Sequence, residues 1–540
     1  MAQRLGHGDE PLNVPRWLNW AWLVPAAFLL TFLAYPLGVL GSHVVDPAGW
    51  TRLFASNTWH VVPLALAQAL TSTVLAVIVG LPIANVVTRY RFRGRALAQA
   101  AVTVPFVLPT VVVALAFRSL LGPGVPQGFF LVVLAHAYVN LAVVVRIVGS
   151  NWAQHDPDYE NTARTLGATR WAAFRTITLP MLRPAIASSA SVVFVFSFTS
   201  LGIVLLLGDA STRTLESQIL RQTSVLLDFP GAAATAVVQL VLVTAVLVAG
   251  MVASRRTARR RLRPIALRPL PASTAGRVAV IATAAFTFVV VAAPVAALVV
   301  TSFRAAGQWS LAWWTGVSSV DAGTSRIGSP LSALATSIGY ALVCALVACV
   351  VGGLAAVAVL THGRTRLISL LAIVPLGISS ATLGLGTLLA FGRPPVDLRG
   401  SGLLVPIAHS LVAVPLVVAV VAPALLSADS RTMAVAATLG ARPTRAFLTA
   451  YGAILRVVML ASAGLACAVS LGEFGAASFL ARAGSPTVPV QIVRLLSRPG
   501  EQSYGIAAVL AVVLVALTLV LVLLVDRLGA GRPSSVTGAA

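Results

Sequence analysis

The chain contains no lysine; all 38 of its basic residues are arginine. A Walker A loop sets a lysine on the phosphates of its nucleotide, so no intact loop of that kind lies in this sequence. Cysteine is scarce as well. Cys344, Cys349 and Cys467 show neither metal-ligand spacing nor a disulfide framework, and they read as small apolar packing residues. The seven histidines are scattered and form no metal cluster. Charge is the third shortage. Only 10% of the residues are charged, whereas soluble domains come nearer to one quarter. No stretch between the apolar runs is long enough for a soluble domain.

What is present in excess is apolar length. The chain is 58% hydrophobic, with mean hydropathy +0.93. Many runs reach the ~20 residues that cross a bilayer. The pattern predicts an all-α polytopic membrane protein with twelve spans, near 20–41, 61–87, 97–121, 127–149, 185–207, 232–253, 278–300, 333–360, 366–391, 401–426, 453–480 and 505–526. Arg4 and Arg16 precede the first run as in a signal peptide. The run is too long for a signal sequence and no small-residue cleavage site follows, so it reads as a retained span. Both termini are then expected in the cytoplasm of a bacterium, with the chain in its plasma membrane.

The net charge of +23 raises nucleic acid as a partner, but its distribution excludes that. Arg89, Arg91, Arg93 and Arg95 crowd one inner loop. Arg255, Arg256, Arg259, Arg260, Arg261 and Arg263 crowd another. That is the positive-inside bias of a membrane protein, facing an anionic lipid leaflet.

The chain repeats itself. Tyr159-Glu-Asn-Thr-Ala-Arg-Thr-Leu-Gly-Ala168 and Met433-Ala-Val-Ala-Ala-Thr-Leu-Gly-Ala441 are two versions of one loop, and Gly167 and Gly440 lie 273 residues apart. The same interval relates Gln218-Ile-Leu-Arg221 to Gln491-Ile-Val-Arg494, His136 to His409, Phe174 to Phe447, Ser197 to Ser470 and Gly202 to Gly475. Pro105 and Pro375 head equivalent helices at a slightly shorter interval. An ordered series of matches indicates tandem duplication. The halves are expected at 1–265 and 266–540, each with six spans, around a pseudo-two-fold axis with a path between them.

The first loop, 150–184, carries helix signals. Asp156 can cap a helix that Pro157 opens, Asp158 and Glu160 suit its first turn, and Gly167 can end it in the left-handed conformation. A second short helix is expected from Thr169 to Leu179, and Pro180 and Pro184 should break or bend the chain before the fifth span. The second loop, 427–456, has Asp429 and Ser430 as caps, Gly440 as the stop and Pro443 as the next start. A helix–glycine–helix elbow facing the cytoplasm is a compact lever for a soluble partner.

These loops resemble the EAA motif of ABC-importer permeases, which reads Glu-Ala-Ala, three residues, Gly, then Ile-x-Leu-Pro. Gly167, Ile177, Leu179 and Pro180 fit it. Asn161 stands in the Glu slot with Glu160 before it, and Ala434 stands in that slot in the second copy, where Gly452-Ala453 replaces Leu-Pro. The resemblance covers almost the whole chain and is to the fused, two-half permeases of the iron(III)/thiamine type, most of all those for thiamine. Its supporting segments are Phe196-Ser-Phe-Thr-Ser200, Thr214-Leu-Glu216, Ser470-Leu-Gly-Glu-Phe-Gly475 and Pro486-Thr-Val-Pro489.

The resemblance implies a pathway subunit rather than an enzyme, with no cofactor on this chain. ATP and Mg would be bound by two separate ABC ATPase subunits docked on the loops. An extracytoplasmic substrate-binding protein would deliver thiamine or a related small cation, or alternatively iron(III). The expected coupling residues are Glu160, Asn161, Ala163, Leu166, Gly167, Ala168, Leu179, Pro180, Ala437, Leu439, Gly440 and Ala441. For the path, Glu473 is the ionisable residue at membrane depth, with Ser200 as its repeat mate; its alternative role is to cap a break beside Gly472 and Gly475. Arg118, Arg146, His136 and His409 read as helix-end anchors. Trp309, Trp313 and Trp314 read as an interfacial belt, in an outer segment, Thr301–Ser332, open to a binding protein. The rival class is an ion-coupled secondary transporter, but the spans offer few carboxylates besides Glu473.

Overall fold

The computed structural model describes residues 20–45, 58–255, 267–319, 329–361 and 377–530, together with Thr51 and Phe54, and excepting Pro123, Pro157, Ala272, Pro394, Pro395, Arg399 and Ser430. The expected boundary between halves, the Arg256–Arg263 cluster and Pro375 lie outside the described residues.

Among those residues the fold is helical, apart from two short hairpins. Ten helices are long and apolar enough to cross a membrane, or eleven if one sharply bent pair is a single span. The predicted 366–391 span falls partly outside the described residues; its described part is the helix Ser380–Phe391.

Three predicted spans are broken. The run 97–121 is two helices, Arg95–Val107 and Thr110–Leu121, bent by 109°. The break is at Leu108-Pro109, and Pro105 lies inside the first helix rather than at its head. The run 185–207 ends one helix at Phe198 and starts another at Gly202. The run 453–480 likewise stops at Gly472 and resumes as Gly475–Leu480. In both cases the short second helix packs on the helix after the sharp break or its counterpart, Thr110–Leu121 or Ser380–Phe391. A β-carbon on Gly202 would collide with Thr110, and one on Gly475 with Ser380.

The prolines expected to interrupt the first loop do not. Arg170–Ala173, a π-turn at Phe174–Thr178 and Leu179–Phe198 form one continuous span, Arg170–Phe198. A π-turn at Leu30–Ala34 likewise precedes Pro36. Proline lacks the N–H that an α-helical carbonyl four residues back would use, and the wider turn absorbs that gap without ending the helix.

Elements recur at the interval read from the sequence. Asp158–Thr165, Gly202–Leu207 and Leu215–Ser224 are followed 273 residues later by Arg431–Thr438, Gly475–Leu480 and Val488–Leu496. The most enclosed spans are the counterparts Phe129–Trp152 and Leu404–Leu426, 78% and 72% buried over their most apolar windows, against 22% for Thr274–Ser302. The first two are therefore central and the last peripheral. Peripheral helices cross over. Tyr35–Val45 packs on Ser380–Phe391, and Thr274–Ser302 packs on Thr110–Leu121 and Arg95–Val107.

His136 and His409 are not helix-end anchors. They are 1% and 0% exposed inside the two central spans. His136 Nδ1 hydrogen-bonds Gln68 Nε2 at 2.6 Å, and His409 Nδ1 lies 2.8 Å from Ser470 Oγ. A buried polar group needs such a partner, so these residues tie neighbouring spans together. Arg118 does lie in the last turn of its helix, and Arg146 is exposed, bonding Thr103 Oγ1 at 3.3 Å. Of the tryptophans, Trp309 is exposed, Trp313 Nε1 donates to the Arg304 carbonyl, and Trp314 stacks on Phe303.

Candidate functional site

The two elbows share a backbone design. In the first, Gly167 N donates to the Arg164 carbonyl at 3.1 Å and Ala168 N to that of Ala163 at 3.0 Å. In the second, Gly440 N donates to Ala437 and Ala441 N to Ala436, both at 3.0 Å. This is the paired closure of a Schellman turn, which needs a left-handed residue after the helix. Gly167 at φ +92° and Gly440 at φ +83° provide it. The helices begin alike as well, Asp156 Oδ1 accepting from Asp158 N and Asp429 Oδ1 from Arg431 N, each at 2.9 Å. Leu166 and Leu439, beside the glycines, are 84% and 82% exposed.

The side chains that anchor the elbows differ. In the first, Glu160 accepts from Arg89 Nη1 and Nη2 at 3.3 and 3.1 Å, from Thr178 Oγ1 at 2.6 Å and from Arg268 Nη1 at 3.5 Å. Arg89 ends the span Trp59–Arg89, and its guanidinium also lies over the Trp152 ring, 5.4 Å from the centroid. Thr178 opens the way into Leu179–Phe198. Arg268 belongs to the segment joining the N- and C-terminal parts of the chain, which runs beside the end of the span: Arg268 N donates to the Arg89 carbonyl at 2.8 Å and Arg91 N to the Arg268 carbonyl at 2.9 Å. Partial burial works against charge on Glu160. The hydrogen bonds from Arg89 and Thr178 and the charges of Arg89 and Arg268 outweigh it, holding the carboxyl below its ordinary range. Asn161, in the expected Glu slot, is exposed and reaches only Asp158 at 3.5 Å.

In the second elbow Met433 replaces Glu160 and is 4% exposed. Tyr451 replaces Thr178, is 1% exposed, and its ring centroid is 5.0 Å from that of Phe447. Met433, Phe447 and Tyr451 belong to one apolar cluster. Ala434 is exposed, like Asn161, and Gly452-Ala453 lies mid-helix in Pro443–Gly472. Leu179 and Pro180 head the helical segment Leu179–Phe198 behind the first elbow.

The candidate path residues stand at the far ends of the long helices. Glu473 follows Pro443–Gly472, a helix about 45 Å long at 1.5 Å per residue, so it lies at the opposite end from the elbow. Its Oε1 accepts from Ala476 N at 3.2 Å, which is the capping role. Ser380 approaches it from a neighbouring helix. Ser200 occupies the matching break after Phe198, 6% exposed, with Oγ unpartnered. One residue escaped the sequence reading. Glu216, in the N-terminal turn of Leu215–Ser224, is fully buried and accepts from Gln239 Nε2 at 2.5 Å. Its segment resembled the family, but a carboxylate in a first helical turn reads as an ordinary dipole partner.

A family model for the binding-protein-dependent transport system inner membrane component matches residues 72–264. The sulfate transport system permease protein CysT of Escherichia coli is 31% identical over 234 residues, which are 40% of this chain and 84% of that protein. The molybdenum transport system permease protein ModB of Mycobacterium tuberculosis is 30% identical over 251 residues, 44% of this chain and 92% of that protein. The thiamine transport system permease protein ThiP of Salmonella typhimurium is 28% identical over 255 residues, 42% of this chain and 46% of that protein. The chain belongs to the family of binding-protein-dependent transport system inner membrane components. It is a multi-pass inner-membrane permease of an ABC importer.

Proposed function

We propose that this single chain carries two permease halves, 1–265 and 266–540, and couples a path between them to two separate ABC ATPase subunits. The carrying observation is the pair of elbows 273 residues apart, each with a left-handed glycine closing a Schellman turn and an exposed leucine beside it. Relatives covered almost whole by fewer than half of this chain's residues agree with two halves. Each exposed leucine supplies an apolar contact for a partner groove. Each elbow joins a long helix with little slack, so a rigid push on it moves the whole span.

Both termini and both elbows are assigned to the cytoplasm, ATP and Mg to the partner subunits, and an extracytoplasmic substrate-binding protein to the outer face. Catalysis is assigned to the ATPases, and this chain supplies passage and coupling. Glu160, Asn161, Ala163, Leu166, Gly167, Ala168, Leu179, Pro180, Ala437, Leu439, Gly440 and Ala441 form the coupling set. Within it Glu160 transmits force, because it joins the elbow to the second span, the fifth span and the inter-half segment.

Thiamine or a related small cation is the proposed substrate, supported by the likeness to the thiamine permease and by a carboxylate, Glu473, rather than an arginine among the candidate path residues. Reconstitution with the cognate ATPase and binding protein tests the reading: import should require ATP. Import that persists without the ATPase on a proton gradient would replace it with the secondary-transporter reading.

A further inference from the structure

We propose that the groove between Arg95–Val107 and Thr274–Ser302 binds an acyl chain of an anionic phospholipid, with Arg93 holding the phosphate of its headgroup. The proposal rests on the importer reading for the assignment of this end of the helices to the cytoplasmic leaflet. The groove is a cavity of about 450 Å³, within the ~300–1,000 Å³ of small-ligand pockets. Its walls come from separate parts of the chain. Phe92 and Leu97 form one, Ile281 and Phe288 another, and Leu270 of the segment joining the N- and C-terminal parts closes it.

Small residues between large ones create the groove. Ile281 and Phe288 lie ~10 Å apart along their helix axis, and Ala284 and Ala285 line the space between them. Leu97, Ile281 and Phe288 are all exposed. Thr274–Ser302 is also the least enclosed of the candidate spans. The groove therefore opens toward the surrounding acyl chains rather than into the protein, and its length along the helix suits a chain lying parallel to it.

Charge at one end of the groove selects the occupant. Arg93 is the charged residue of the lining. Its neighbours are committed elsewhere: Arg89 donates to Glu160, and Arg95 Nε donates to the Val87 carbonyl at 2.8 Å. Arg93 is exposed, and among the described residues no carboxylate pairs with it. Beside it Gly94, at φ +86°, starts Arg95–Val107 with no side chain to bond the first N–H groups. A guanidinium next to a helix N-terminus favours a phosphate, and basic pockets between spans on the cytoplasmic side suit anionic headgroups. A choline headgroup brings its own cation to the same arginine and fits less well. Phe92 and Leu270 each stand two residues beyond Tyr90 and Arg268, which bridge the two parts of the chain. The lipid thus packs against the joint that carries Arg268 to Glu160.

The test titrates the purified full chain in detergent with phosphatidylglycerol or with phosphatidylcholine of the same acyl chains, and native mass spectrometry reads the lipid retained. Saturable retention of phosphatidylglycerol is expected, about fivefold tighter than that of phosphatidylcholine. Excess inorganic phosphate should not displace it, which separates a lipid from a free anion. Arg93→Gln should weaken phosphatidylglycerol about fivefold and remove its advantage. Ala285→Phe, which fills the groove, should abolish saturable retention with Arg93 still in place. Arg183→Gln, at an exposed arginine outside the groove, should change neither lipid. Equal retention of the two lipids, displacement by phosphate, an equal loss in Arg183→Gln, or wild-type retention in both groove variants would overturn the site. The comparison of lipids on the wild type needs no variant, so a variant that misfolds leaves the test decisive. Retention is read without ATP or transport substrate, which keeps the two readings apart. ATP-dependent import with equal retention of both lipids rejects the site alone, and selective retention without ATP-dependent import rejects the importer reading alone.

Discussion

The two elbows have the same backbone and opposite anchors. The first is held by a carboxylate that gathers Arg89, Thr178 and Arg268 around it. The second is held by Met433 in an apolar cluster with Phe447 and Tyr451. The backbone turn is what a docking partner would meet, and it is preserved on both sides. The anchor behind it faces only this chain, and there a polar and an apolar solution serve equally to seat a short helix on a long one. The first anchor also reaches, through Arg268, the segment joining the N- and C-terminal parts of the chain, and among the described residues no such ion pair stands behind the second elbow. The first elbow is therefore assigned the stronger coupling.

The sharpest way to break the comparison is to give the second elbow the first one's acid. Met433→Glu would put a carboxylate into the apolar cluster of Phe447 and Tyr451, at ~3–5 kcal/mol. A large fall in the thermal melting temperature, with loss of assembly, is expected; unchanged melting would mean that Met433 is not enclosed. Next, Glu160→Gln should cost ~2 kcal/mol, the scale of hydrogen bonds to a charged group. It should lower stimulated ATP hydrolysis several-fold with little change in ATPase binding, as read by co-purification and turnover. Arg268→Ala should cost less, ~0.5–1 kcal/mol, because the pair with Glu160 is longer and partly exposed, at 3.5 Å and 26% for the arginine. Its expected signature is a small loss of turnover that disappears in the Glu160→Gln background.

The smallest effect is on pH. The folded chain holds the Glu160 pKa below its ordinary 4.5, so the stabilisation is fully present above that value and is lost as pH falls through the lower folded pKa. The melting difference between wild type and Glu160→Gln should be flat near neutrality and shrink only in acid. A difference that shrinks between about pH 6 and 8 would point to another titrating group.

The elbows and their interval were legible because helix caps and a left-handed glycine are local signals, and a repeat shows them twice. The all-helical membrane class was legible from apolar length. What stayed hidden depends on contacts between distant residues. Nothing near Glu160 announces Arg89 or Arg268, 71 and 108 positions away. Hydropathy does not register the break at Leu108-Pro109 or those around Ser200 and Glu473, since the run stays apolar through each. Nor does it separate a proline that ends a helix from Pro180, which a π-turn accommodates. His136 and His409 were misplaced for a related reason: a lone polar residue in an apolar run looks like an end until its partner, Gln68 or Ser470, is seen.

The central claim, that both elbows couple to ATPases and the first does so more strongly, is tested most directly by comparing Gly167→Val with Gly440→Val. A β-branched residue cannot hold the left-handed turn without strain of ~1–3 kcal/mol, and a β-carbon at either position meets no neighbour within 4 Å, so the backbone turn itself is what changes. In reconstituted complexes Gly167→Val should abolish ATP hydrolysis stimulated by the binding protein, while Gly440→Val should reduce it and leave a measurable fraction. Wild-type stimulation in both variants would contradict the account.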